Sequence, residues 1–231
     1  MANVSKPART SPPVRISYPT LFTAKSFAGG TPKFGVVIMF DKTNADQMAF
    51  LKLIHGDCTA ALAEHWPDVM GADGSMIPNP ERPRIPVMGH TDSPIKDGDK
   101  TSNRQGIPMA EKNPEYAGHY IIRASSTSRP IVVSKAMAEV LDQAEVYGGS
   151  FCKVNLNCYT FEVPTNKGVT FGLNGVQKMS DGESFGGGRP AVDSMFAAES
   201  GANDAANYNE DPFANGAGDP GAFAGDDDLP F

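Results

Sequence analysis

The chain has 231 residues, of which 40% are hydrophobic, and a formal net charge of -7 at pH 7. This length is sufficient for one domain with a hydrophobic core. The sequence shows neither a membrane span of about 18 apolar residues nor an apolar export signal, so a cytoplasmic location is expected. Three cysteines without a CxxC pair argue against a disulfide framework or a metal site and indicate packed thiols, and no cofactor is expected.

The negative charge is concentrated at the C-terminus. Residues 190–231 hold nine of the 27 acids and none of the 20 Lys and Arg residues, so residues 1–189 carry a net charge of +2. A core of this charge can present a local basic groove to a polyanion. The predicted organisation is a flexible basic arm (1–13), a folded domain (14–189) and a disordered acidic tail (190–231).

The folded domain begins with a predicted β-hairpin and a helix. Residues 15–22 and 33–40 are rich in β-branched and aromatic residues and flank a Gly-Gly-Thr-Pro turn. A helix is predicted from Thr43 to Trp66, where Pro67 ends it. Three- and four-residue spacing predicts a buried stripe of Leu51, Ile54, Cys58, Leu62 and Trp66, with base stacking as the alternative role of Trp66.

Residues 67–116 break this periodicity with eight prolines and five glycines. Such a long irregular stretch inside a domain is usually either functional or partly disordered. Arg82 and Arg84 flank Pro83 within it. Two interpretations of these cations stay open, phosphate contacts and exposed loop charges.

The second half predicts strands over 119–125, 131–133, 151–163 and 169–178, with a short helix over 136–146 and a turn at 166–168. In 151–163 the residues alternate, which places them on opposite faces. The face suited to burial carries Cys152, Val154, Leu156, Cys158 and Thr160. The other face carries Phe151, Lys153, Asn155, Asn157, Tyr159 and Phe161. Its rings, cation and amides are the groups that nucleic-acid-binding surfaces use. The alternative is that its Phe residues cover a second small core.

Five or six short strands with one main helix and no βαβ alternation predict a mainly β fold. The economical candidate is an OB-type five-stranded antiparallel Greek-key barrel with one main helix, a long Pro/Gly-rich insertion and a disordered acidic tail.

No catalytic motif is recognised in the sequence. Residues 98–101 resemble the end of a phosphate-binding P-loop. However, Asp99 stands where the motif needs the glycine before its Lys, and Pro94 stands at the position of the leading glycine. A calcium-loop pattern beginning at Asp97 lacks its closing Glu. The four histidines show no ligand or dyad spacing. A non-enzymatic protein is therefore expected.

The tail combines acids with recurring Phe residues and ends in a motif suited to a basic, apolar pocket on a protein partner: Asp226, Asp227, Asp228, Leu229, Pro230 and Phe231. The same alternation of negative charge and rings imitates single-stranded DNA, so the tethered tail is expected to compete for a basic groove. A tail that serves only solubility is the alternative.

This tip, DDDLPF, resembles the acidic tip of bacterial single-stranded DNA-binding proteins. The core is similar to a family of phage single-stranded DNA-binding proteins with an OB-fold, over most of residues 14–188. The segments that carry this likeness are 116–120, 129–133, 147–149, 172–178 and 181–187. The resemblance implies coating of unwound DNA in phage replication and recombination, with the tail recruiting replication proteins such as polymerase, helicase or primase. A tetramer is not assumed, because of the insertion, and a homodimer is left open.

The leading hypothesis is a protein that binds single-stranded DNA with little sequence preference. Base stacking is expected on Tyr120, Tyr159 and Phe161, although Tyr120 could equally point inward with Ile122. Phosphates are expected near Lys33, Arg82, Arg84, Arg123, Arg129, Lys153 and Lys178. The alternatives are a replication adaptor whose barrel binds protein rather than DNA, and a nuclease whose site is scattered along the sequence.

Overall fold

The computed structural model describes residues 3–26, 30–84, 87–90, 93–100, 107–164 and 166–185. Its elements in chain order are β1 (Arg9–Thr10), β2 (Val14–Lys25), β3 (Lys33–Asp41), α1 (Ala45–His65), β4 (Val69–Met70), β5 (Met76–Ile77), β6 (Ile95–Asp97), α2 (Met109–Lys112), β7 (His119–Ser126), β8 (Ile131–Val133), β9 (Phe151–Val163) and β10 (Asn166–Ser180). Two 3-10 turns cover Pro114–Tyr116 and Gln143–Glu145.

Five of these strands close into a barrel in the order β2, β3, β7, β10, β9, with β9 returning to β2. β10 comes last in the chain but lies between β7 and β9, which makes the connection a Greek key. The β7–β10 pair is parallel and the other four pairs are antiparallel. The predicted OB-type barrel is confirmed, with one parallel pair where an antiparallel barrel was expected.

Strand alternation places the core inside the barrel. In β9 the predicted inward set, Cys152 through Thr160 at even positions, is buried. In β3, Val36, Ile38 and Phe40 point into the same core. Each fully buried side chain of this size contributes about 1.5–3 kcal/mol to stability, so the register of these strands is strongly determined.

Helix α1 follows β3 in the chain and packs its predicted stripe on the barrel. The N-cap is Asn44 rather than Thr43, because the Asn44 side chain accepts hydrogen bonds from the amides of Asp46 and Gln47, both at 3.1 Å. Trp66 is 4% exposed, so its interpretation as a core residue is confirmed. No helix in the described ranges is long and apolar enough to cross a membrane.

The predicted helix over 136–146 is wrong. Met137 has φ of +64°, and the Val140 amide donates to the Val132 carbonyl at 2.9 Å, so the chain folds back on β8. Burial of Val140 in the core favours this pairing over helix propensity. The predicted turn at 166–168 is also wrong, because β10 already begins at Asn166.

Residues 4–11 run along the edge of β9. The amides of Lys6 and Ser11 donate to the carbonyls of Cys158 and Val154, both at 2.9 Å. Lys6 also pairs with Glu64 of α1 at 2.6 Å, and Arg9 forms an ion pair with Asp57. Where the sequence suggested a flexible arm, this segment lies as an added strand that ties the sheet to the helix.

The insertion over 67–116 contains short strands and residues that pack on the barrel, as well as loops. β4 and β5 form a small separate hairpin, and β6 pairs with β7. Further along, Met109 and Tyr116 pack with Phe185 over the outward residues of β3 and β7, which are Val37, Met39 and Ile121. We call this part of the outer barrel surface the covered half, and the part nearer Lys33 the open half.

The barrel and its additions lie in a compact unit of residues 1–188. The acidic tail, including the predicted partner motif Asp226–Phe231, falls outside the described residues. Its boundary and its disorder remain predictions.

Candidate nucleic-acid interface

The open half of the barrel has a continuous row of small or polar outward residues, one from each barrel strand. Strand pairing places them side by side, since Thr20 lies opposite Gly35, Gly35 opposite Ser125, Ser125 opposite Gly172, and Gly172 opposite Asn157. We call this set, Thr20, Gly35, Ser125, Gly172 and Asn157, the floor row. In OB-folds the face of the second and third barrel strands, here β3 and β7, binds oligonucleotides.

Gly35 and Gly172 have no side chains, so nothing protrudes from the floor row at these two positions. A β-carbon added at Gly172 would lie 2.7 Å from the Asn157 Oδ1 atom, and one at Gly35 would lie 3.3 Å from the Ala124 carbonyl oxygen. A larger side chain at either position would crowd its neighbours. A glycine inside a strand commonly marks a site where another molecule approaches the backbone closely.

Aromatic rings stand at the β9 end of the floor row. The Tyr159 ring lies close to Gly172, 3.5 Å from where a β-carbon would be, and the Phe161 ring lies equally close to Gly168. Both side chains are half-buried on the outward face of β9. Neither belongs to the second apolar cluster under the insertion, so the alternative in which Phe161 covers a second core is wrong. Rings beside a glycine floor leave a flat apolar surface that can stack with a base.

A shallow cavity of about 180 Å³ opens between these rings and the end of β7. Lys33 and Tyr159 line it from opposite sides, together with Ser125 through Thr127 and Gly172 through Asn174. The described lining contains a cation, hydroxyls and an amide but no carboxylate. This chemistry suits an anionic, partly planar ligand.

Exposed cations surround the open half. Lys33 begins β3 directly opposite Lys25 of β2, and Arg123 points outward from β7 next to Ser125. Arg129 lies 5.7 Å above the Phe22 ring. None of these four has a carboxylate within 4.0 Å in the described ranges. Two lysines placed directly opposite repel each other, so an anion bound between them would relieve this repulsion.

A second cavity, of about 280 Å³, continues from the floor row along β9 and β10. Lys153, Asn155 and Gln177 line it, and it shares Asn174 with the first cavity. The amide of Asn174 donates to the side-chain oxygens of Asn155 and Asn157 at 3.0 and 3.2 Å. These amides largely satisfy one another, which leaves few polar groups to distinguish one base from another.

Three predicted site residues have partners elsewhere in the fold, and a fourth, Arg84, is exposed in the Pro-rich loop. Tyr120 packs against the main core beside Ile122, so the inward alternative is confirmed. Lys178 pairs with Asp181 at 2.7 Å, and this hydrogen bond lowers the pKa of the Asp181 carboxyl below its ordinary value. Arg82 donates to the Trp66 carbonyl and pairs with Asp68, and Arg84 is exposed in the same loop.

The structure thus gathers Lys33, Arg123, Arg129, Lys153, Tyr159 and Phe161 around the open half. Sequence reasoning missed the floor row and Lys25. The available signal was a glycine at an outward position in two strands otherwise rich in apolar residues, Gly35 and Gly172.

The three cysteines are buried and unpaired by disulfides, as predicted. Burial raises the pKa of Cys152 to about 12. A hydrogen bond with Cys158, together with burial, raises the pKa of Cys58. These two thiols therefore stay protonated at neutral pH and serve as packing groups.

A family model described as "Enterobacter phage Enc34, ssDNA-binding protein" matches residues 8–206. The chain belongs to this family. The match spans the end of the arm, the whole barrel and the first part of the tail, so the family covers the open half with its rings and cations. The predicted resemblance to phage single-stranded DNA-binding proteins is confirmed.

Two solved structures and one curated relative are also similar to this chain. The Enc34 phage single-stranded DNA-binding protein in complex with ssDNA is 24% identical, with a TM-score of 0.58 over 78% of this chain and 89% of that one. A second structure of the Enc34 phage single-stranded DNA-binding protein is 23% identical, with a TM-score of 0.56 over 81% of this chain and 89% of that one. At these identities the likeness shows the fold. A "Putative protein p50" of Acyrthosiphon pisum secondary endosymbiont phage 1 is 26% identical over 76% of this chain and 84% of its own length.

Proposed function

We propose that this protein binds single-stranded DNA with little sequence preference on the open half of the barrel. The observation that carries the proposal is the floor row, a surface of small and polar residues across five strands with rings at one end. The cations around it have no carboxylate partner within the described ranges. Bases would stack on Tyr159 and Phe161, while phosphates would lie near Lys33, Arg123, Arg129 and Lys153. Membership of the family supports this ligand.

Low sequence preference follows from the chemistry of the surface. Stacking on rings tolerates every base, because each base has a π face. The amides in and beside the floor row are engaged with one another and with the N-terminal segment, where Asn157 donates to Ser5 Oγ at 2.8 Å. The proposed role is therefore non-enzymatic protection of unwound DNA during phage replication and recombination.

A titration of a labelled oligo-dT with the full-length protein tests this function. At about 50 mM salt we expect tight binding that weakens strongly by about 200 mM, with a logarithmic slope of about -0.7 per phosphate contacted. A matched duplex should bind more weakly. Absence of oligo-dT binding at the lower salt would favour the adaptor in which the barrel binds protein. Metal-dependent loss of the oligonucleotide would instead favour a nuclease.

The acidic tail is proposed to have two roles. It would compete with DNA for the basic open half, and its last six residues, Asp226–Phe231, would recruit replication proteins such as polymerase, helicase or primase. Nine acids and no Lys or Arg in residues 190–231 support the first role, since the barrel unit carries the opposite net charge.

Deleting residues 190–231 is expected to tighten oligo-dT binding by about twofold to tenfold at low salt, because tethering gives the tail a millimolar-scale local concentration. The gain should shrink as salt screens the contact. Phe231→Ala is the control, since it keeps every tail carboxylate and should keep most of the competition. Equal affinities of the full and shortened chains at low salt would refute competition.

A further inference from the structure

Tyr18 interrupts the regular pairing of β2. Ser17 lies opposite Val37, and the next paired residue, Thr20, lies opposite Gly35, so one extra residue is inserted in β2. Such a β-bulge re-aims a side chain and is frequent beside functional sites. In an unbroken strand Tyr18 would follow Ile16 into the barrel interior. Here its side chain is turned outward and is 62% exposed.

The backbone of Tyr18 is strained. Its φ is +46°, in the left-handed region that a bulky side chain rarely adopts. The following residue is Pro19, which further restricts Tyr18. Glycine or asparagine would adopt this conformation more easily. Strain of this kind persists where the surrounding structure imposes it, commonly at ligand sites.

The position of the ring links it to the candidate interface. Tyr18 lies between Ser17, which is opposite Val37 of the covered half, and Thr20, the β2 member of the floor row. Its hydroxyl donates to Asn113 Oδ1 of the covering segment at 2.7 Å, so the ring stands where the covered half meets the floor row. Tyr159 stands at the other end of that row, on β9. The two ends are separated by four strand spacings of about 4.8 Å each, or about 19 Å along the sheet.

We propose that Tyr18 is a second nucleobase-stacking side chain at the β2 end of the floor row. This inference rests on the proposed function and extends it, because it places the ligand across all five barrel strands. The hydrogen bond to Asn113 fixes the ring, so its exposed surface is available to an unpaired base at little entropic cost.

The test is to compare Tyr18→Gly with Tyr18→Phe and the unchanged protein in oligo-dT titrations and thermal unfolding. Tyr18→Gly removes both the ring and the strain. We expect its affinity to fall about 5-fold to 150-fold, while its melting temperature is kept or raised. Tyr18→Phe, which keeps the ring, should bind within a few-fold of the unchanged protein. Unaltered affinity of Tyr18→Gly would overturn the inference.

A second measurement covers the case in which Tyr18→Gly lowers both affinity and melting temperature. An oligonucleotide carrying 5-iododeoxyuridine is photo-crosslinked to the unchanged full-length protein, and the adducts are mapped by mass spectrometry. A crosslink at Tyr18 supports the proposal, and crosslinks confined to other residues overturn it. If the unchanged protein fails to bind oligo-dT at all, the proposed function fails; if only the Tyr18 results are negative, this inference alone fails.

Discussion

Replacing Tyr159 and Phe161 together by alanine is expected to weaken oligo-dT binding by at least about 30-fold, because each stacked base contributes about 1–3 kcal/mol. Both rings point outward from β9 and lie close to glycines of β10, Gly172 and Gly168, so their faces border the floor row. The effect should appear as faster dissociation in a stopped-flow or surface-binding measurement, with little change in the salt dependence.

The matched control for that pair is Phe151→Ala. Phe151 is an aromatic residue on the same face of the same strand, but it lies at the far end, where the Arg15 guanidinium stands 5.6 Å from its ring. The Phe151→Ala variant should therefore bind oligo-dT with unchanged affinity. Tyr159 and Phe161 are only half-buried, so their replacement should preserve cooperative unfolding in urea. Unchanged affinity in a folded double variant would remove β9 from the interface.

The second large effect is expected from the cations. Lys33→Gln with Arg123→Gln should lower affinity at low salt and reduce the salt slope by about 1.4, which corresponds to two lost phosphate contacts on a single strand. Neither side chain has a carboxylate partner in the described part of the chain, so each charge is available to a ligand. Titrations across a series of salt concentrations measure both quantities.

Lys178→Gln serves as the control for charge alone. It removes one positive charge from the same domain, but Lys178 is already paired with Asp181. Its salt slope should match that of the unchanged protein. A slope that falls equally in Lys178→Gln and in the Lys33 and Arg123 variant would mean that net charge, and not the open half, attracts the DNA.

The strands could be predicted well from the sequence because alternation is a local signal. The bounds of β9, Phe151–Val163, agree with the prediction, since residues 151–161 alternate between the two faces without a break. The conformation around Val140 could not be predicted in this way. Its backbone pairing with Val132 requires the chain to fold back on β8, and no periodicity in the sequence indicates this. The identity of the cap on α1 differed by one residue, as helix ends commonly do.

The site could be predicted only in part. Outward rings and a cation on β9 follow from alternation within one strand. The floor row depends on the register between strands that are far apart in the chain, such as Gly35 with Ser125 and Ser125 with Gly172. The orientation of Tyr120 could not be predicted either. The pattern of its strand allowed the side chain to lie on either face, and in the structure it packs against the core.

The central claim is that single-stranded DNA lies along the floor row, and amide chemical-shift mapping of the labelled full-length protein with oligo-dT tests it most directly. We expect the largest perturbations at Gly35, Ser125 and Gly172, with Gly74 in the β4–β5 hairpin unaffected. Perturbations concentrated elsewhere on the barrel, with these three floor amides unchanged at saturating DNA, would contradict the claim.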